Sequence, residues 1–231
     1  MTTTAQEVLG ALAEVRDPEL DEPLTDLGFV AGVHVEEGRV AVRLRLPTYF
    51  CAPNFAWLMV QGARSAVLAL DGVQEAVVKL EDHSAATEIN RGVSRGAGFA
   101  QTFAGETTGE LGELSETFAR KAFVARQARL CDSLLRAGQT PHEVVGLQLS
   151  DLEPGPDQAR CVVLRAQLGI DASPEAPAFV SPKGRAFDAS ELMRWLRIAR
   201  LVRLSVEGNA GLCRALLKTR YGIRDPEEVA V

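Results

Sequence analysis

The sequence is short of several things, and each shortage excludes a class of protein. Its four cysteines, Cys51, Cys131, Cys161 and Cys213, lie far apart and contain no Cys-x-x-Cys pair. A closed zinc site draws its ligands from such close pairs, so none is expected. Nor do the spacings resemble a disulfide framework. Lysine and arginine (25) are outnumbered by aspartate and glutamate (31), leaving a net charge of −6. That deficit argues against general affinity for nucleic acid, which needs surplus cations to neutralise phosphates. No apolar run reaches the length of a bilayer span, and no cationic start leads into an apolar core. Internal repeats and low-complexity tracts are also missing. A soluble cytoplasmic protein with reduced thiols is expected, with neither membrane nor nucleic acid among its partners.

What is present is an ordinary globular composition, 46% apolar and 24% charged over 231 residues, enough for one large or two small domains. Residues 5–15 carry Val8, Leu9, Leu12 and Val15 at helical intervals, with Thr4 and Glu7 spaced as a capping box. Asp17-Pro18 stops that helix, because the residue before proline is pushed out of helical geometry. Alternation through Phe29, Ala31, Val33 and Val35, a Glu37-Gly38 turn, and alternation through Val40, Val42, Leu44 and Leu46 predict a hairpin. A helix is predicted over 54–70 and a third strand over 73–80. The fold class is therefore α+β: a small α-β-β-α-β domain with a three-stranded sheet over residues 1–82.

Beyond it, residues 83–105 are rich in Gly, Ser, Thr and Ala, and predict a linker or extended crossing segment on which Phe99 and Phe103 dock. Residues 106–231 predict a mainly helical domain that binds a client or partner. It holds a long helix over 110–137, a short one from Pro141, a strand over 161–167, and two helices over 189–206 and 209–221. Arg194, Arg197, Arg200 and Arg203 wind around the first of these last two between apolar residues, so that helix is expected to be buried on most sides. Two readings of the arginines stay open: pairing with acids such as Glu106, Glu110, Glu113 or Glu116, or a dock for an acidic partner.

Chemistry concentrates between Leu44 and Leu70. Cys51 stands just before Pro53, which suits the first turn of a helix. Unpaired N–H groups and the positive helix end favour a thiolate there, the form that acts as nucleophile and metal ligand. The plainer alternative is a small buried hydrophobe. The loop 17–27 holds five acidic residues and two prolines. A carboxylate from it beside Cys51 would orient the thiol or complete a transient metal site, although like-charge repulsion then requires a shared proton or cation. Turn chemistry alone also accounts for Asp17 and Gly28. Cys131, Cys161 and Cys213 lie in apolar stretches and are expected to pack. His34, His83 and His142 form no grouping with Cys51 that spacing reveals.

Residues 5–81 resemble the metal–sulfur (iron–sulfur) cluster assembly factors of the PaaD and SufT type. The likeness is carried by Asp17-Pro18-Glu19, Asp26-Leu27-Gly28 before the first strand, Thr48 and Cys51 before the second helix, and Gly72-Val73 before the last strand. It implies a non-enzymatic accessory factor that matures iron–sulfur or other iron proteins. Cys51 would be the transient ligand of iron or a cluster and Asp17 its partner, with Thr48, Glu19 and Asp26 supporting the site. Two features depart from the family pattern. That pattern reads Thr-x-x-x-Cys-Pro, whereas here Thr48-Tyr49-Phe50-Cys51-Ala52-Pro53 is one residue shorter before the cysteine and one longer after it. The chain also continues through residues 82–231, as in variants associated with di-iron monooxygenases.

The expected partner is accordingly a client iron protein or oxygenase subunit. One cysteine cannot complete a cluster's coordination, so a homodimer, a client thiolate or carboxylates must supply the rest. Two alternatives are a folding chaperone or binding module for an oxygenase subunit without metal chemistry, and thiol redox chemistry at Cys51. The last requires a thiol pKa well below 8.

Overall fold

The computed structural model describes residues 3–105 and 111–223. The chain divides into two compact units, Met1–Leu111 with Asn209–Val231, and Gly112–Gly208.

The first unit contains α1 (Ala5–Ala13), β1 (Val30–Glu36), β2 (Arg39–Arg45), α2 (Pro53–Leu68), β3 (Glu75–Glu81), α3 (Ala86–Ser94) and the short α4 (Phe99–Thr102). The sheet order is β1-β2-β3, with β1 antiparallel and β3 parallel to β2. The expected capping box is formed: Thr4 Oγ1 accepts from the Glu7 N–H while Glu7 accepts from the Thr4 N–H. On the sheet, Val40, Val42, Leu44, Ala76, Val78 and Leu80 are buried, and their alternate neighbours face outwards. Val8 and Leu12 of α1 and Ala56, Met59, Val60, Ala63 and Val67 of α2 join that buried face in one core. The other face carries ion pairs such as Arg39–Glu75 and Arg45–Glu81. An α+β module with a three-stranded sheet is therefore what the N-terminal part forms.

Residues 86–94 and 99–102 are helical where a linker or extended crossing segment is expected. The reason lies in α3, whose Ile89 and Val93 reach the core four residues apart while its polar residues face out. Asn90 pairs with both the N–H and C=O of Leu80, substituting for a further strand at the edge of β3. Gly92 permits the close approach of α4, since a Cβ there would stand 2.2 Å from Thr102 Oγ1. Phe99 and Phe103 do dock, Phe99 against Trp57.

The second unit holds α5 (Gly112–Arg136), α6 (Pro141–Gly146), α7 (Pro156–Gln167) and the first part of α8 (Ala189–Tyr221), whose turns from Asn209 onward belong to the first unit. Three expectations are corrected. The strand over 161–167 is helix α7: Pro156 sits in its first turn, and Cys161, Leu164 and Arg165 recur at helical steps on its buried side. The two final helices are one, because Gly208 lowers helix propensity without breaking the hydrogen-bond ladder.

The third correction concerns the arginines and the burial of α8. Its Leu192, Leu196 and Ala199 are buried, whereas Ile198, Leu201 and Leu204 are exposed, Leu201 by 67%. Arg200 and Arg203 pair with Asp132 of α5 instead of the glutamates proposed from sequence. Glu116 pairs with Arg120, and Glu106 and Glu110 lie outside the described residues. No helix among the described residues is long and apolar enough to cross a membrane.

Candidate functional site

The loop 14–29 is folded as tightly as a regular element. Leu20, Leu24, Leu27 and Phe29 enter the core, so the acidic residues between them are held in fixed places. Asp17 Oδ1 accepts from the Glu19 and Leu20 N–H groups, each at 2.9 Å. The Asp17 N–H donates to Glu22 O and its C=O accepts from Asp21, which adopts a left-handed φ of 52°. Asp17 is only 5% exposed, and burial pushes its carboxyl up to about 6, with Glu19 and Glu22 adding to the rise against the two N–H bonds.

Cys51 immediately precedes Ala52, the N-cap of α2, with Pro53 opening the helix. The expected position is therefore reached, but the expected thiolate is not. Burial, then the Asp17 carboxyl and the Cys213 thiol, push the Cys51 thiol up to about 12, against the lowering effect of the Ala52 N–H. A helix N-terminus favours a thiolate by a modest amount, whereas burial beside an acid disfavours it by more. A standing low-pKa nucleophile, which redox chemistry needs, is absent from this position. Cys51 is half-buried, packed at the margin of the core.

The remaining residues proposed from sequence fall into two groups. Glu19 acts on Cys51 and accepts from Asn209 Nδ2 at 3.4 Å, which places it at the site. Thr48 is exposed in the turn before Cys51, and Asp26 is exposed with its carboxylate accepting from Thr25 Oγ1.

Two residues are at the site without having been singled out. His83 is buried, and its ring spans two backbone groups: Nδ1 accepts from the Ala85 N–H at 3.1 Å, so Nε2 carries the proton and donates to Cys51 O at 2.7 Å. Burial holds this histidine below its usual pKa and keeps it neutral at pH 7. With the Ser84 N–H donating to Tyr49 O, it pins the Cys51 loop to the end of β3. The second is Cys213 of α8, which burial, then Asp17 and Glu19, push upwards as they do Cys51. Cys131 and Cys161, by contrast, are sealed in the cores of the other unit as expected. A polar residue just after an edge strand was the available signal for His83. For Cys213 there was none, since 162 positions separate it from Cys51 in the sequence.

An acid and a thiol side by side in a largely buried setting cannot both ionise until a cation offsets them. Among the described residues, no three His, Cys, Asp or Glu side chains are grouped so that they could hold a metal ion.

Residues 5–79 match the family described as iron–sulfur cluster assembly protein. The chain is also similar to an uncharacterized protein of Methanocaldococcus jannaschii, with 34% identity over 88 residues that make up 38% of this chain and 90% of that protein. It belongs to the iron–sulfur cluster assembly protein family through this N-terminal module. A role in the assembly of iron–sulfur clusters follows from that membership, with iron or a cluster as transient cargo and an iron protein as its destination.

Proposed function

We propose that the protein is a non-enzymatic maturation factor of the PaaD and SufT kind. It would hold iron or an iron–sulfur unit briefly at Cys51, with Asp17 beside it, and pass it to a client such as an oxygenase subunit. The observation that carries this reading is the buried Asp17 carboxyl acting on the Cys51 thiol within the family-matched residues. A cation arriving there offsets the burial and the Asp17 charge that keep the Cys51 thiol protonated, and thiolate with carboxylate is a donor set that iron accepts. The ligands the pair cannot supply come from the client, or from a second copy, so release follows when the client's own thiolates complete the set. The soluble cytoplasmic setting fits reduced thiols.

Cys51→Ala should abolish iron or cluster loading of the client in cells and remove the absorption bands obtained by anaerobic reconstitution with iron and sulfide. Unchanged loading would eliminate the proposal. A folding chaperone without metal chemistry is the second reading, favoured by the exposed Ile198, Leu201 and Leu204 on α8. It expects Ile198→Glu with Leu201→Glu to end client binding while Cys51→Ala stays silent.

A further inference from the structure

The outer edge of β3 is covered at Leu80 and open at Val78 and Ala76. The Leu80 N–H donates to Asn90 Oδ1 at 2.8 Å, and Asn90 Nδ2 donates to Leu80 O at 3.0 Å. Backbone groups alternate between the two sides of a strand, so Leu80 fixes the direction of its neighbours. The parallel register with β2 is unbroken from Glu75 to Glu81. Ala76 and Val78 therefore also turn their N–H and C=O groups away from β2, and among the described residues nothing pairs with them there. These groups face a groove of about 340 Å³ between β3, Arg64 of α2, and Val93 and Ser94 of α3. Its free charge is positive. Nε of Arg64 is buried without a hydrogen-bond partner, and neither Arg64 nor Lys79 makes an ion pair among the described residues. Glu75, the acid on the lining, is already held by Arg39 Nε at 2.8 Å.

We propose that this edge docks a short, extended, acidic segment of a partner protein, which lies beside β3 as a further strand. The backbone of that segment takes the open groups of Ala76 and Val78, a demand that a free anion does not meet and a polypeptide does. Its side chains alternate between the two faces of the sheet. On the face covered by α2, where Ala76 and Val78 are buried, a carboxylate meets Arg64. On the outer face, a second carboxylate meets Lys79, and an apolar neighbour covers Val77, which is 48% exposed. The seat is short because Asn90 already occupies the Leu80 step, so charge selects the segment that the backbone bonds then hold. The proposal goes beyond the maturation role and does not rest on it, since the edge is separate from Cys51 and needs no cargo there.

The test uses the full-length protein with a short, end-blocked peptide that alternates glutamate and valine, beside a counterpart that alternates lysine and valine. Amide exchange is followed residue by residue by NMR. An excess of the acidic peptide should slow exchange at Ala76 and Val78 roughly tenfold, and leave Leu80, already bonded to Asn90, as it was. The lysine peptide should slow neither. Arg64→Gln combined with Lys79→Gln should weaken the acidic peptide roughly tenfold while the thermal midpoint stays in place. No slowing by the acidic peptide, or equal slowing by both, overturns the proposal. Slow exchange at both amides in the free protein overturns it too: a rise with protein concentration means that a second copy holds the edge, and a constant value that the chain itself does. Each of these outcomes leaves the loading test of Cys51→Ala untouched.

Discussion

Asp17 in the first unit and Asp132 in the second are buried to nearly the same degree, 5% and 7% exposed, yet their surroundings are opposite. Asp132 meets two guanidiniums, Arg200 Nη2 at 2.6 Å and Arg203 Nη1 at 2.9 Å. Asp17 has two backbone N–H groups, acidic neighbours and two thiols. The same contrast extends across the units. In the second, Asp157 is shared by Arg126 and Arg129, buried Gln127 pairs with both backbone groups of Val180, and buried Arg165 donates to the carbonyls of Asp171, Pro177 and Ala178. There most of these buried polar groups are paired and serve the architecture, although Nε of Arg165 and of Arg203 and Oε1 of Gln139 have no hydrogen-bond partner. In the first, a buried acid among acidic neighbours is kept at a cost in stability.

The sharpest break of this comparison is substitution of the two aspartates. Asp132→Ala takes the shared carboxylate from the largely buried Arg203 and the partly exposed Arg200 and should cost about 3 kcal/mol, read as a lowered denaturant midpoint. Asp17→Asn should do the reverse. The folded carboxyl holds its proton up to about pH 6, above its unfolded value of 3.8. Between those values the folded state binds more protons, so wild-type stability falls as the pH rises. The substitution should therefore gain up to about 3 kcal/mol above pH 6 and nothing below about pH 4. A loss of stability at neutral pH would show that Asp17 is a structural residue like Asp132.

His83→Ala removes both backbone bridges and should cost about 2 kcal/mol, with faster amide exchange at Ser84. For wild type, the lowered histidine pKa has the opposite sign to Asp17. Its contribution is complete above the ordinary value near 6.5 and is lost as the pH falls through the folded pKa. The smallest effects should be equal in the two units, which use the same capping box. Thr4→Ala and Thr140→Ala remove matching bonds to Glu7 and Glu143, each worth about 1 kcal/mol in thermal unfolding. Inequality between them would show that local helix ends are weighted by what surrounds them.

Much of the first unit was legible because its signals are local. Alternation through Val40, Val42 and Leu44 names the buried face of β2, and Thr4 with Glu7 names the start of α1. In the second unit local signals misled. The β-branched run at Val162-Val163 reads as strand until α5 is seen to bury Cys161 and Leu164 on one side of α7. Gly208 reads as a stop, yet α8 passes through it.

At the site, the order of residues along the chain was enough to locate Cys51 ahead of a helix and Asp17 in an acidic turn, because capping, proline and turn chemistry act within a few positions. Only the tertiary structure decided that the thiol is protonated, that His83 holds its loop, and that Cys213 joins it. Charge state depends on burial and on neighbours brought from far along the chain, and neither is expressed in local spacing.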